Sequence, residues 1–445
     1  MMRINVELVL PFLISLIVFS GCISQSVEED IIAEPEVSCE ILPSVSYEPI
    51  IDDDGEQAVV ANVRAIDLNS TDEALVYTEP LKGKLSLIHG DCSPNCQVQE
   101  ISFSNMIAPL RLDAADFNGD GYNELILSDI GVLYPSESKQ GKIMLIDLTN
   151  DSEDYQGEIV IQDIGRVTCA EAVDLDADQD LDLTLCEFGH LNGSVGWLEN
   201  LGDNNWTWHK LETKPGAIEA TPVDMDGDGD YDIVSIISQL SEQIVVFWND
   251  GTGNFTSEIL FDATTTFFGM SGINIVDIEN DGDQDILFTN GDVLDGDFPA
   301  DENLWDYHGL SILENLGNGV FDYQRLIAFT GAYDSAVFDI DSDGVEDIVV
   351  IGFKPTLSMD RDFEDSFDYG NQPNIAWLNY SNNSWNPVYP VNDIDAPLIS
   401  LEVMDFDGDG NQELIAANHD IMNTTSFPKL VSITSSLTEV CTEIN

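Results

Sequence analysis

Cations are what this chain lacks. Against 84 Asp and Glu it has 14 Lys and Arg, a formal net charge of −70 over 445 residues. A polyanion of this kind offers no cationic footprint to phosphates. Nucleic acid is therefore excluded as a partner, and so is adhesion of the protein surface to anionic lipid. Histidine is scarce too, with five in all: His89, His190, His209, His308 and His419. None stands in an HExxH pair, and no GxSxG or P-loop signature occurs. The usual metalloprotease, serine hydrolase and nucleotide-binding templates therefore do not apply. No CxxC pair accompanies the cysteines, which argues against zinc. What remains is a chain with 43% hydrophobic residues, enough for a folded core, and an acidity suited to salt and to divalent cations.

Residues 1–21 (MMRINVELVLPFLISLIVFSG) place Arg3 before an apolar stretch from Leu8 to Phe19. The stretch is short for a membrane span, which is the layout of a signal peptide. The adjoining Phe19-Ser20-Gly21-Cys22 resembles the lipobox of secreted lipoproteins, whose cysteine is lipidated and opens the mature chain. A plain signal peptide or an uncleaved anchor is the competing reading. Residues 22–50 are acidic and lack amphipathic period, so they are expected to be a tether, with the folded domain over 51–445. The expected location is extracytoplasmic, at the cell surface or outer envelope, with the membrane touched through the lipid anchor only.

Six cysteines remain beyond Cys22, an even number in a secreted chain, so disulfides are the default. Cys92 and Cys96 share a Pro-Asn turn, Cys169 and Cys186 flank one acidic hairpin, and Cys39 and Cys441 stand near the chain ends. Other connectivities, and free buried thiols, stay open.

One motif recurs six times, roughly 50–65 residues apart. It reads DFNGDGYNELIL from Asp116, DLDADQDLDLTL from Asp174, DMDGDGDYDIVS from Asp224, DIENDGDQDILF from Asp277, DIDSDGVEDIVV from Asp339 and DFDGDGNQELIA from Asp405. Each copy lies between apolar, strand-like runs, so the local unit is two strands joined by a nine-residue acidic loop. A coiled loop turns the side chains at positions 1, 3 and 5 to one centre, and a carboxylate at position 9 closes the cage from the next strand. Gly at position 6 permits the sharp turn.

Hard oxygen donors at that density repel one another without a cation, and Ca²⁺ suits them because it takes six to eight oxygens in flexible geometry. The expected ligands are Asp116, Asn118, Asp120 and Glu124; Asp174, Asp176, Asp178 and Asp182; Asp224, Asp226, Asp228 and Asp232. The remaining sets are Asp277, Glu279, Asp281 and Asp285; Asp339, Asp341, Asp343 and Asp347; Asp405, Asp407, Asp409 and Glu413. That makes about six Ca²⁺ sites. Asp174 heads the one copy with Gln179 where Gly is expected, and an eroded copy at Asp67 is two residues short, so no site is expected there. The competing reading is a set of polar hairpin turns without metal.

A second pattern follows the loops: WLENLGDNNW from Trp197, FWNDGTGNF from Phe247, ILENLGNGVF from Ile312 and WLNYSNNSW from Trp377. An apolar strand, an Asn-Gly turn and an aromatic opening the next strand describe a hairpin. Its aromatics suit interior packing better than sugar stacking. Each repeat then holds four strands, and seven such units describe an all-β, seven-bladed propeller with the metal loops joining strands A and B.

These repeats resemble FG-GAP/VCBS repeats, the calcium-loop propellers also found in integrin α-chain heads, over roughly residues 50–441. Phe188-Gly189 and Phe268-Gly269 occur without a regular Gly-Ala-Pro, so the VCBS-type subgroup fits better. The resemblance implies an extracellular, calcium-stabilised binding module whose ligand is a glycan or a protein. A structural surface role and a polysaccharide lyase or hydrolase on the same scaffold are the alternatives. No catalytic residue stands out. Ligand recognition is expected on the B–C face, where two long connections concentrate Trp305, Tyr307, His308, Arg361, Phe363, Phe367 and Tyr369, unless these are solvated insertions.

Overall fold

The computed structural model describes residues 36–51, 57–90, 96–149, 155, 157–292, 306–354, 373–381, 384–392, 394–421 and 427–444. Contacts divide the chain into Ile41–Thr438, which carries the ring, and a small unit of chain ends, Met1–Glu40 with Glu439–Asn445. The signal segment 1–21 and Cys22 lie outside the described residues.

After β1 (Glu36–Pro49), the strands come in groups of four. Blade 1 is β2 (Asn62–Asn69), β3 (Asp72–Glu79), β4 (Lys84–His89) and β5 (Val98–Ile101). Blade 2 is β6 (Pro109–Ala115), β7 (Glu124–Asp129), β8 (Gly141–Ile146) and β9 (Gly157–Ile164). In blade 3 the inner strand is split into β10 (Val167–Cys169) and β11 (Ala172–Val173), followed by β12 (Asp182–Glu187), β13 (Ser194–Asn200) and β14 (Trp206–Glu212). Blade 4 is β15 (Ala217–Val223), β16 (Asp232–Ser238), β17 (Glu242–Asn249) and β18 (Phe255–Asp262). Blade 5 is β19 (Met270–Val276), β20 (Asp285–Asn290), β21 (Gly309–Asn315) and β22 (Phe321–Ala328). Blade 6 is β23 (Ala332–Phe338), β24 (Asp347–Gly352), β25 (Ile375–Ser381) and β26 (Ser384–Val388).

Blade 7 takes β27 (Leu398–Met404), β28 (Glu413–Asn418) and β29 (Leu430–Ile444) from the end of the chain and β1 from its beginning, in the order β1-β29-β28-β27. The fold is therefore the expected seven-bladed β-propeller. The tether expected over 22–50 is corrected over 36–49. Ser44 Oγ lies 2.6 Å from Thr438 Oγ1, and Val45 enters the core between blades 6 and 7. The physical reason is that blade 7 has only three strands of its own, so an acidic segment whose apolar residues alternate (Val37, Cys39, Ile41, then Val45, Tyr47) is recruited to cover its outer edge.

The second strands of blades 2 to 6 (β7, β12, β16, β20 and β24) are buried along their whole length. Each is flanked within its sheet and covered on both faces by neighbouring blades, which explains their continuous apolar runs. Seven apolar clusters fill the seven gaps between neighbours: Leu87 with Leu127 joins blades 1 and 2, for example, and Phe247 with Trp197 joins blades 4 and 3. Each fully buried Leu or Ile contributes about 1.5–3 kcal/mol. Trp197 and Trp377 belong to these clusters, as interior aromatics.

The inner strands add at least one polar link at every gap. Asn62, Asp113, Glu219, Asp334 and Ser400 accept backbone N–H bonds from Leu112, Ala172, Ile273, Leu401 and Val63 of the neighbouring blades. Thr168 and Asn274 donate to the carbonyls of Ala217 and Ser335. The circle of links is closed.

Candidate metal centres

Each acidic loop is a short coil whose carboxylates first bind their own backbone. In blade 4, Asp224 accepts N–H bonds from Gly227 (2.9 Å) and Gly229 (3.0 Å), Asp226 from Asp228 (3.2 Å) and Asp228 from Asp230 (3.0 Å). The position-6 bond to the second oxygen of the leading Asp recurs in all six loops, from Gly121, Gln179, Gly229, Gly282, Gly344 and Gly410. Positions 4 and 6 both take left-handed backbone, so the loop needs two permissive residues where the sequence reading named one. Position 4 is filled by Gly119, Ala177, Gly227, Asn280, Ser342 and Gly408, and in blade 3 Gln179 carries φ 79° at position 6.

The coil brings carboxylates together. Single oxygens of Asp405, Asp407, Asp409 and Glu413 lie within 4.8 Å of one another, as do those of Asp174, Asp176 and Asp182, of Asp224, Asp226 and Asp232, and of Asp339, Asp341 and Asp347. Position 5 stands apart in three of these loops, where Asp178, Asp228 and Asp343 accept the N–H two residues on. In the loop from Asp116, the Asn118 amide donates to Glu124 at 2.6 Å, while Asp120 accepts from Tyr122. In the loop from Asp277, Glu279 hydrogen-bonds Asp285, and Asp281 accepts from Asp283.

Such crowding strains the charge. Burial, reinforced by neighbouring carboxylates, pushes the position-9 groups up, Asp182 and Asp347 to about 7 and Asp232 to about 6; Glu279 also rises to about 7. Asp174 Oδ1, Asp347 Oδ2 and Asp405 Oδ1 are buried with no hydrogen-bond partner among the described residues. Unpartnered oxygens, carboxylates held near neutrality and a donor set of oxygen alone fit a hard divalent cation. Several of these clusters can therefore hold a metal ion.

What the sequence reading missed is the residue that fixes position 9. Asp182, Asp232 and Asp285 each use one oxygen for the N–H of position 2 and the other for the N–H of an asparagine ending the third strand, Asn200, Asn249 or Asn315, at 2.8 Å in each case. The amide of Asn200 stays within blade 3, on the Leu181 carbonyl, but the other two cross the gap between blades. Asn249 Nδ2 donates to the Leu175 carbonyl in blade 3 (2.7 Å), and Asn315 Nδ2 to that of Met225 in blade 4 (3.3 Å). Since Leu175 and Met225 themselves donate to Asp182 and Asp232, one hydrogen-bonded relay joins the loops of blades 3, 4 and 5. The signal was present in the recurrent Asn of the hairpin motif, which looked like turn chemistry alone.

The other expected residues fall as follows. Cys169 and Cys186 are joined as a cross-strand disulfide inside the core, and Cys96 is disulfide-bonded. Cys92 and the side chains of Cys39 and Cys441 lie outside the described residues, as do Trp305, Arg361, Phe363, Phe367 and Tyr369. His308 does not belong to a ligand face. It is 0% exposed, because it leads directly into β21 between packed blades, and burial drives its pKa down to about 4. Tyr307 is half-buried against the core between blades 4 and 5. The shortened copy at Asp67 is a tight hairpin, with Asn69 paired to Asp72.

A comparison with curated proteins found no match. Solved structures do match, among them the following two. One is the crystal structure of BBS1N in complex with ARL6DN, soaked with mercury, 10% identical with a TM-score of 0.47 over 89% of this chain and 97% of that chain. The other is Kuenenia stuttgartiensis hydrazine synthase, 11% identical with a TM-score of 0.47 over 88% of this chain and 97% of that chain. The family described as FG-GAP-like repeat matches residues 224–288, the stretch holding the loops from Asp224 and Asp277. The chain is therefore a seven-bladed β-propeller that carries an FG-GAP-like repeat running from the loop of blade 4 into the second strand of blade 5.

Proposed function

We propose that the protein is an extracytoplasmic binding module, held to the membrane by a lipid on Cys22, that presents a calcium-stiffened propeller to a glycan or protein ligand. The observation that carries the reading is the set of acidic clusters, which are costly to fold without a divalent cation and are repeated around one face. About six Ca²⁺ ions are expected when the loops fill. The environment outside the cytoplasm supplies both that ion and the oxidant for the Cys169–Cys186 disulfide. Rigid loops around a propeller suit adhesion, and nothing in the loop geometry calls for a reaction.

The test is a glycan array and a cell-surface binding assay on the calcium-loaded protein, run beside elemental analysis for bound metal. Ligand capture that disappears in EGTA, with calcium bound, supports the reading. A protein that carries no metal and captures nothing removes it.

A further inference from the structure

Blade 1 has no acidic loop: a two-residue turn, Ser70-Thr71, joins β2 to β3. The missing loop leaves a cavity of about 150 Å³ between blades 1 and 2, walled by blade 1 on one side and by Tyr122 and Asn123 of the Asp116 loop on the other. The walls are held. Asn69 and Tyr122 form a β-bridge, Asn123 donates through its backbone to Leu68 (2.9 Å) and through its amide to the Asp67 carbonyl (2.7 Å), and Gln99 donates to the Tyr155 hydroxyl (2.7 Å).

We propose that this cavity binds a single neutral sugar ring, which rests on the glycan reading above and gives it a site. The lining chemistry points to that class. Leu68, Leu87 and Leu148 supply apolar surface beside two tyrosines, and an aromatic-apolar wall suits the CH face of a pyranose. The polar groups mix donors with acceptors. Among the described residues no hydrogen bond engages Asn69 Nδ2, Gln99 Oε1, Asn123 Oδ1 or the Tyr122 hydroxyl. His89 stands 3.5 Å from Asp72 at the rim. Hydroxyls serve both kinds of group, whereas a cation would waste the donors. Among the described residues no Lys or Arg lines the cavity, and the chain's net charge of −70 repels acidic sugars. The volume is below the ~300–1,000 Å³ of drug-sized sites, so one ring enters and the rest of a chain stays outside.

The experiment is saturation-transfer NMR on the calcium-loaded protein with the methyl pyranosides of glucose, galactose, mannose and N-acetylglucosamine as probes. Saturation of at least one probe is expected. Affinity should fall at least tenfold in Tyr122→Ala and in His89→Ala, with unchanged melting, and should hold in Tyr134→Ala, an exposed tyrosine elsewhere on blade 2. No saturation of any probe overturns the site. Saturation that survives both Tyr122→Ala and His89→Ala overturns it as well, while a positive glycan array in either case leaves the binding-module reading standing.

Discussion

Blades 4 and 1 follow the same four-strand plan but solve the A–B corner in opposite ways. In blade 4 a nine-residue coil gathers Asp224, Asp226 and Asp232, and its closing carboxylate is pinned by Met225 and Asn249. In blade 1 the corner is a two-residue hairpin that needs no ion, and space opens beside it. Both blades bury the body of their second strands, and Val234 and Val76 are each fully buried, although β3 starts with the partly exposed Asp72 and the exposed Glu73. The ring is therefore held by apolar packing in every gap, and any stability from the acidic loops should depend on solution conditions. A propeller built this way can lose one loop without losing the blade.

Calcium removal is the largest lever on that difference. Each filled site contributes RT ln(1 + [L]/Kd), about 2.7 kcal/mol at a hundredfold excess over Kd, and several sites act together. EGTA should lower the melting temperature by on the order of 10 °C or more. Hydrogen exchange should rise first at β16 and β12 and last at β3. Asp226→Ala should remove one ion by elemental analysis. Melting that ignores EGTA would make blade 4 equivalent to blade 1 and sink the comparison.

Acidity acts next. In the metal-free protein Asp182, Asp232 and Asp347 have pKa values raised to about 6 to 7, against about 3.9 when unfolded. The folded state then binds protons more tightly than the unfolded chain, so its stability is greatest at low pH and is lost as pH rises through those values. Metal-free melting should therefore climb by several degrees between about pH 8 and pH 5. Calcium affinity should weaken over the same range, because the ion competes with those protons. Opposite slopes for the two forms are the signature to look for.

Much of this was legible in the chain. Six copies of one motif located the second strand of six blades, because a buried strand and the loop before it leave a paired signal of apolar run and acidic spacing. The start of the ring was legible but passed over: Glu36–Pro49 alternates, with Val37, Cys39 and Ile41 and then Val45 and Tyr47 set between polar residues, yet its acidity and its place beside the expected anchor pointed to a tether. His308 looked like loop chemistry because its neighbours are polar, yet its burial follows from the blade gap it fills. The role of Asn249 was hidden for a similar reason: its partner Leu175 lies one blade away in space and 74 residues away in sequence.

That relay gives a third, smaller test. Asn249→Ala keeps the backbone bond to Asp232 and deletes the amide bonds to Leu175 and Tyr231 inside a buried gap. A loss of about 1–3 kcal/mol is expected from the unsatisfied carbonyls. Calcium should bind more weakly at blade 4 and also at blade 3, read by terbium luminescence sensitised through Trp197, which like Asp176 packs close to Gly253. In blade 6 the matching position holds Tyr380, whose partner strand leaves Asp347 Oδ2 without a bond. Tyr380→Ala should therefore leave neighbouring sites unchanged. Equal effects from both variants would show that the asparagine carries no coupling.

The smallest expected effect separates blade 3 from blade 4 at one torsion angle. Position 6 is left-handed in both loops, at φ 99° for Gly229 and 79° for Gln179. A side chain there meets its own following carbonyl, at a cost of roughly 1–2 kcal/mol. Gln179→Gly removes that strain but gives the unfolded chain more freedom, which takes back about 0.5–1 kcal/mol. The hydrogen bond from position 6 to Asp174 is made by the backbone, so it survives the change. A net gain of about 0.5–1 kcal/mol is expected in the metal-free protein, measured by urea denaturation. In saturating calcium the gain should be no smaller, because the ion holds the same backbone conformation in place. Destabilisation by Gln179→Gly would mean that the glutamine side chain supports the loop, and that blade 3 is a different kind of site from blade 4.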